Sequence, residues 1–365
     1  MNEKDGRSAK LRAGFEALVA QAGGDARTLA ALSVTALKTG QAQRSYELAR
    51  RARELAPDDA EIASLTHRPF TGLVPDWHFS IVRDDTRNQA YEAALKRAVG
   101  PGTRVLDIGT GTGILSMMAA RAGAAHVTAC DMNPAVADAA VDVIARNGLS
   151  DRIRVISKRS DALDVDADMG GQADVLVSEI VSNDMLGEHA LAAMADAVPR
   201  LVRPQGRVIP AAGQVRIAAA WWGGLDQRRM GETSGFDLSP FNRLDRTPVH
   251  LKAGDADLVL RGPAQDLFDF DFASGGPYRD ERTTVALTCE GGPVNGLAQW
   301  IRLQMDEEGV YENAPAAGAK SCWAVLFYPL AETLDATGGQ VLTVHGAHDR
   351  TRLRIWTDTA QRVDN

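Results

Sequence analysis

Residues 105–131 read VLDIGTGTGILSMMAARAGAAHVTACD. An apolar strand carries Asp107 at its carboxyl end, glycines follow at 109, 111 and 113, and an Ala-rich helix leads to a second strand closing on Asp131. Glycines placed there let the chain turn tightly and bring backbone amides against a ligand. A dinucleotide fingerprint would read GxGxxG and aim a helix N-terminus at a pyrophosphate. Here the spacing is GxGxG, and the preceding carboxylate would repel phosphate but suits an ammonium group. Asp131 stands where an acid grips both ribose hydroxyls. An ammonium at one end, a ribose at the other and no phosphate between them favour S-adenosyl-L-methionine over NAD or a purely structural turn.

Outward from this loop, residues 88–210 alternate Val-, Leu- and Ile-rich strands with Ala-rich helical stretches. That is the βαβ rhythm of a Rossmann-like parallel sheet with helices on both faces. After Pro210 the texture changes to short strands between Gly, Pro and Asp turns, as in GQVRIAAAWW, LAQWIRLQM and TRLRIW, which predicts an all-β barrel or sandwich. Before it, residues 29–57 predict two short amphipathic helices. Leu29, Leu32 and Ala36 mark one face, and Tyr46, Ala49, Ala52 and Leu55 the other, with Gly40 at the turn and Pro57 at the end. This resembles a single tetratricopeptide repeat, which needs flanking helices to bury its face. The expected architecture is therefore α/β plus all-β: a helical segment over 1–66, a methyl-donor domain over 67–210 and a β-barrel domain over 211–365.

Composition sets the outer limits. The 365 residues are 45% hydrophobic and 24% charged, the profile of a globular protein rather than a fibrous or disordered one. No apolar run approaches the roughly 20 residues that span a bilayer. No secretory pattern opens the chain, and three widely spaced cysteines without a CxxC pair fit a reducing cytoplasm. The histidines lack metal-ligand spacing. A net charge of −8 without a basic patch argues against nucleic acid, and it would draw in a cationic partner if it does more than serve solubility.

A cationic partner also answers the second chemical motif, DVLVSEIVSNDMLGEHAL at 174–191. Its strand delivers Glu179 to the carboxyl edge of the sheet, and Glu188 follows at the end of a loop opening a helix. Taken alone, two glutamates near a loop are ordinary solvated surface. Beside a methyl-donor loop, two carboxylates need a cationic target, and arginine fits best because its planar fork is always charged. Holding a guanidinium between two acids would orient one nitrogen toward a sulfonium methyl and draw positive charge away from it.

The glycine loop, SEIVSNDMLGE and the upstream DWHFSIVRDDTRNQAY together resemble the protein arginine methyltransferase family, closely over 76–210 and loosely beyond. The match is nearest to the branch with WHF before the cofactor domain. The resemblance implies an S-adenosyl-L-methionine-dependent N-methyltransferase acting on arginine in a protein or peptide and releasing S-adenosyl-L-homocysteine. It implies that Glu179 and Glu188 are the catalytic pair, and that Arg87 holds the methionyl carboxylate in a pocket lined by His78. Asp107, Gly109, Gly111 and Gly113 match the loop around the donor, Asp131 the ribose acid, and Ser160 and Asp161 the adenine contacts. Cys322 and Trp323, in SCWAVLFY, match a substrate-binding Thr-His-Trp loop.

The chain departs from the family pattern at three places. Cys322 stands where most members carry a histidine that pairs with an acid matching Asp84, so that dyad is absent. The aromatic helix that usually covers the cofactor is missing, leaving Phe70, Trp77 and Phe79 as candidates to cover it. Residues 223–250 leave little room for a long dimerisation arm, which bears on the expected homodimer. Two other readings stay open: a degenerate donor-binding scaffold, and a methyltransferase of a small guanidino compound.

Overall fold

In this computed structural model, residues 3–72 and 74–358 are described, with side chains from residue 12 onward. The chain begins with four helices, α1 (Glu3–Ala22), α2 (Ala26–Lys38), α3 (Ala42–Leu55) and α4 (Ala60–Thr71), the last of which runs across residue 66. Asp25 Oδ1 accepts from Thr28 N at 2.6 Å and Asp59 Oδ1 from Glu61 N at 2.8 Å. Caps of this kind contribute about 1 kcal/mol each. Leu29, Ala36, Leu48, Ala52 and Ile62 close a small core of their own. Leu55, expected on the buried face, is exposed. The bundle rests on the next unit, where Tyr46 Oη donates to Asp138 at 2.8 Å.

The second unit runs α5 (Trp77–Ile81), α6 (Asp85–Ala98), β1 (Arg104–Ile108), α7 (Ile114–Ala122), β2 (His126–Cys130), α8 (Pro134–Arg146), β3 (Ile153–Ile156), β4 (Ala173–Ser178), α9 (Ala190–Leu201) and β5 (Val202–Ile209). The strands pair in the order β3-β2-β1-β4-β5, all parallel. Both faces are covered by helices, so the strands read as nearly continuous apolar runs. The winding reverses between β1 and β4, and that reversal opens a crevice at their carboxyl ends, where parallel sheets take ligands.

The β-rich unit follows with β6 (Ala212–Trp222), α10 (Leu225–Arg228), β7 (Glu232–Thr233), β8 (Phe236–Asp237), β9 (Val249–Leu251), β10 (Leu258–Leu260) and β11 (Gln265–Asp271). It closes with β12 (Glu281–Thr288), β13 (Gly292–Gln304), β14 (Val310–Glu312), β15 (Val325–Ala336), β16 (Val341–His348) and β17 (Leu353–Thr357). One sheet runs β10-β6-β13-β15-β9, with β11 also on β6 and β14 on β13, and a second sheet is β12-β16-β17. Trp300 is buried, with Nε1 donating to Glu312 at 2.7 Å, the partner an interior indole needs.

One continuous core joins this unit to the parallel sheet, running from Leu106 and Val177 through Met185 to Phe272 and Leu303. Gly213 makes the approach close: a Cβ there would lie 2.8 Å from Met185 Sδ and 2.9 Å from the Phe272 ring. Among the described residues no helix is long and apolar enough to cross a membrane, and no cluster could hold a metal ion.

Candidate active site

Over the carboxyl ends of β1, β2 and β4 lies a cavity of about 380 Å³. Its floor is the glycine loop. Gly109 has φ of 74° and passes Ile180 so closely that a Cβ would fall 2.4 Å from Cγ2, so only glycine fits. Asp131, at the end of β2, accepts from Gly111 N at 3.1 Å and from Asn133 N at 2.9 Å. These contacts fix its carboxylate in the cavity wall. A carboxylate offers about four lone-pair sites, so two backbone donors leave room for ligand hydroxyls. Burial raises its pKa.

The acid pair enters from β4. Glu179 follows Ser178 directly, and its side chain is almost wholly buried. Burial pushes it up to about 8, against the pull of the neighbouring Arg87 guanidinium, while Glu188 pushes in the same direction as burial. Glu188 is exposed toward the cavity opening; desolvation by the surrounding walls, aided by Asp131, pushes it up to about 7. Arg87 reaches across from α6 to Glu179, with Nη2 3.2 Å from Oε2, and Nη1 donates to Ile81 O at 2.8 Å. Its Nε is buried and has no partner.

The structure gathers His78, Arg87, Gly109, Gly111, Asp131, Ser160, Asp161, Glu179 and Glu188 around this one cavity. Four other expected residues stand off its wall. Asp107 is fully buried beneath the loop, where Thr110 and Ser116 hydroxyls donate to Oδ2 at 2.7 and 2.6 Å. The loop thus takes one of its two oxygens, while Oδ1 is buried without a partner among the described residues. Gly113 starts α7 at φ of 81° and lies against Ile144. Trp323 is turned inward, with Nε1 donating to Val181 O at 3.0 Å. The backbone N of Cys322 donates to Asp84 Oδ2 at 2.9 Å, the same oxygen that takes Tyr311 Oη at 2.9 Å. Asp84 is thus satisfied without a histidine, and burial holds the Cys322 thiol protonated, well above its ordinary value.

Of the aromatic candidates, Trp77 lines the cavity, stacked on His78 with ring centroids 3.8 Å apart. Phe79 is exposed, and Phe70 packs on Tyr46 in the helical segment instead. Sequence reading missed Met132, Lys158, His189, Ala193 and Asp196 on the wall. Ala193 and Asp196 share one face of α9, and His189 caps its start in a left-handed conformation.

Residues 89–213 match the family of ribosomal protein L11 methyltransferase (PrmA). Over 338 residues, 90% of each chain, the protein is 35% identical to an arginine N(omega)-methyltransferase of Streptomyces achromogenes subsp. streptozoticus. The chain belongs to the protein arginine N-methyltransferase family. Protein arginine N-methyltransferase 7 of Oryza sativa subsp. indica is 29% identical over 76% of this chain, which spans 44% of that relative's length. The fold of a solved structure, described as a Trypanosoma brucei PRMT1 enzyme-prozyme heterotetrameric complex with AdoHcy, superposes with a TM-score of 0.67 at 22% identity. That superposition covers 78% of this chain and 93% of the other.

This member of the arginine methyltransferase family is an S-adenosyl-L-methionine-dependent enzyme. Its own residues fit that donor. The orphaned Nε of Arg87 calls for an anionic acceptor, as a methionyl carboxylate would be, and Asp131 presents free lone pairs for a ribose. Bound there, the donor supplies an electrophilic methyl group on a sulfonium.

Proposed function

We propose that the chain methylates a terminal guanidino nitrogen of arginine carried by a protein or peptide. The observation that carries this reading is that Glu179 and Glu188 face the same cavity as Arg87, whose Nε has no partner among the described residues. Two carboxyls raised to about 8 and about 7 repel one another less than two full charges would; Glu179 already meets the Arg87 guanidinium on one side, and the pair suits a second cation. A guanidinium stays charged at any physiological pH, so it draws both acids into their ionised form and is held by them. Held on one side, its charge is biased away from the nitrogen that accepts the methyl group. Glu188, the more accessible acid and near neutrality, is placed to take the departing proton toward solvent. In this role Trp323 supports the wall behind Glu179 rather than touching substrate, and Asp107 and Gly113 shape the loop under the donor.

A second reading takes free arginine, or another small guanidine, as the acceptor. The Streptomyces relative, which aligns over nine-tenths of both chains, is named for arginine itself. Incubation with methyl-labelled donor and either an Arg-containing peptide or free arginine, followed by mass spectrometry, separates the two. One added methyl mass on the peptide supports the first reading, and addition to free arginine alone moves the assignment to the second. Donor binding without transfer to any guanidine would leave only a scaffold.

The same proposal includes a homodimer in the cytoplasm, consistent with three free cysteines. Residues 225–244 form α10, the β7–β8 hairpin and a 3-10 turn, a short arm with Phe236, Phe241 and Leu244 each more than half exposed. Apolar side chains clustered on so short a projection are what a second copy would cover.

A further inference from the structure

Left-handed backbone recurs where the loop after Glu179 delivers Glu188 to the start of α9. Met185, Glu188 and His189 have φ of 74°, 59° and 60° without being glycine. Such conformations persist only where the surroundings over-determine them. Part of the restraint is local: Gly187 N donates to Ser182 Oγ at 2.7 Å and to Asp184 Oδ1 at 3.2 Å. A Cβ on Gly187 would lie 2.5 Å from Ser182 Oγ, so the turn closes tightly on itself.

Further restraint comes from the β-rich unit, and Asn183 carries two of its contacts. Asn183 O accepts from Gln299 Nε2 of β13 at 3.0 Å, and Asn183 Oδ1 accepts from Ala324 N at 2.7 Å. Gln299 is fully buried. Asn183 therefore ties the mid-point of the loop to two separate segments of the other unit, while the Trp323 indole holds Val181 beside it. Among the described residues no side-chain hydrogen bond ties Glu188 itself, which is exposed and follows the turn that precedes it.

We propose that Asn183 is a positioning residue that sets where Glu188 stands relative to Glu179, and hence how well the site grips a guanidinium. The inference rests on the acceptor assignment above. It predicts a division of effects along the cavity. No hydrogen bond among the described residues joins Asn183 to the donor end, built by Arg87, the glycine loop and Asp131, so that end should be indifferent to it. The acceptor end should loosen.

The test uses the full-length protein and two variants. Asn183→Ala removes the acceptor for Ala324 N, whereas Asn183→Asp keeps an oxygen in that place. Binding of S-adenosyl-L-homocysteine is measured by calorimetry, and KM and kcat are measured for whichever guanidine the parent protein methylates. In Asn183→Ala we expect the acceptor KM to rise at least about 10-fold, the magnitude expected for one lost buried hydrogen bond and a loosened loop. The S-adenosyl-L-homocysteine Kd should stay within about twofold, and Asn183→Asp should recover most of the KM. An unchanged acceptor KM in Asn183→Ala, equal weakening of both ligands, or failure of Asn183→Asp to recover would overturn the proposal. A parent protein that neither binds nor methylates any guanidine would instead remove the acceptor assignment, and this inference with it.

Discussion

Arg87 Nη2 lies 3.2 Å from Glu179 Oε2, with both side chains almost wholly withdrawn from solvent. On the proposed reading, one cation serves the donor end of the cavity and the acceptor end together. A lysine would keep the charge but lose the fork. Arg87→Lys should weaken S-adenosyl-L-homocysteine binding by about 1.5–3 kcal/mol, or roughly 10- to 150-fold, the range for a hydrogen bond to a charged group. Calorimetric titration reads this directly.

Glu179→Gln keeps the shape of the acid but removes its charge. Methyl transfer should fall at least about 100-fold, the scale of losing one preorganised electrostatic contact. Persistent activity in a radiolabel transfer assay would contradict the assignment of Glu179 to the guanidinium.

Both raised carboxyls give the protein a definite pH behaviour. With folded values of about 8 and about 7, Glu179 and Glu188 still carry protons in slightly acidic solution that a bound guanidinium must expel. Acceptor affinity should tighten as pH rises through that window and level off above it, with proton release seen as a buffer-dependent calorimetric heat. Stability of the free protein should move the other way. A carboxyl whose folded value is raised contributes stability below its ordinary value near 4.5, and that contribution is lost as pH climbs toward about 8. Glu179→Gln should flatten this slope in denaturant titrations.

Tyr311 and Asp84 are separated by 227 residues in sequence, yet their side chains meet at 2.9 Å. Tyr311→Phe leaves a buried carboxylate oxygen with one donor fewer and should cost about 1–3 kcal/mol of stability. Urea unfolding midpoints measure it.

The arm offers a separate check. Phe241→Asp places a charge on an exposed aromatic position that a second copy would cover. Sedimentation should show the assembly shifting to monomer, with the circular dichroism spectrum unchanged.

What the sequence disclosed and what it withheld divide along one physical line. The β1–glycine loop–β2 segment is local: strand, turn and helix lie within 27 consecutive residues, and each glycine announces a backbone demand. Glu179 was legible for the same reason, sitting at the end of an apolar strand. The contacts that orient the site are long-range. Asn183 meets Gln299 across 116 residues and Trp323 meets Val181 across 142, and no period or spacing encodes such meetings. Trp323, placed by resemblance in a substrate loop, has its indole turned inward onto Val181 O, an orientation no local pattern announces. Asp107 shows what packing adds locally: Thr110 and Ser116 take its Oδ2 beneath the loop, and Oδ1 stays without a partner among the described residues.

The narrow gap at Gly213, where β6 slides past Met185 and Phe272, bears on how this architecture can change over time. A replacement β-rich module grafted onto the donor-binding half would have to bring a matching glycine and matching ring with it, or the seam would not shut. Descent by wholesale exchange of the two halves is therefore hindered, and drift should proceed residue by residue on either side of a seam they hold in common.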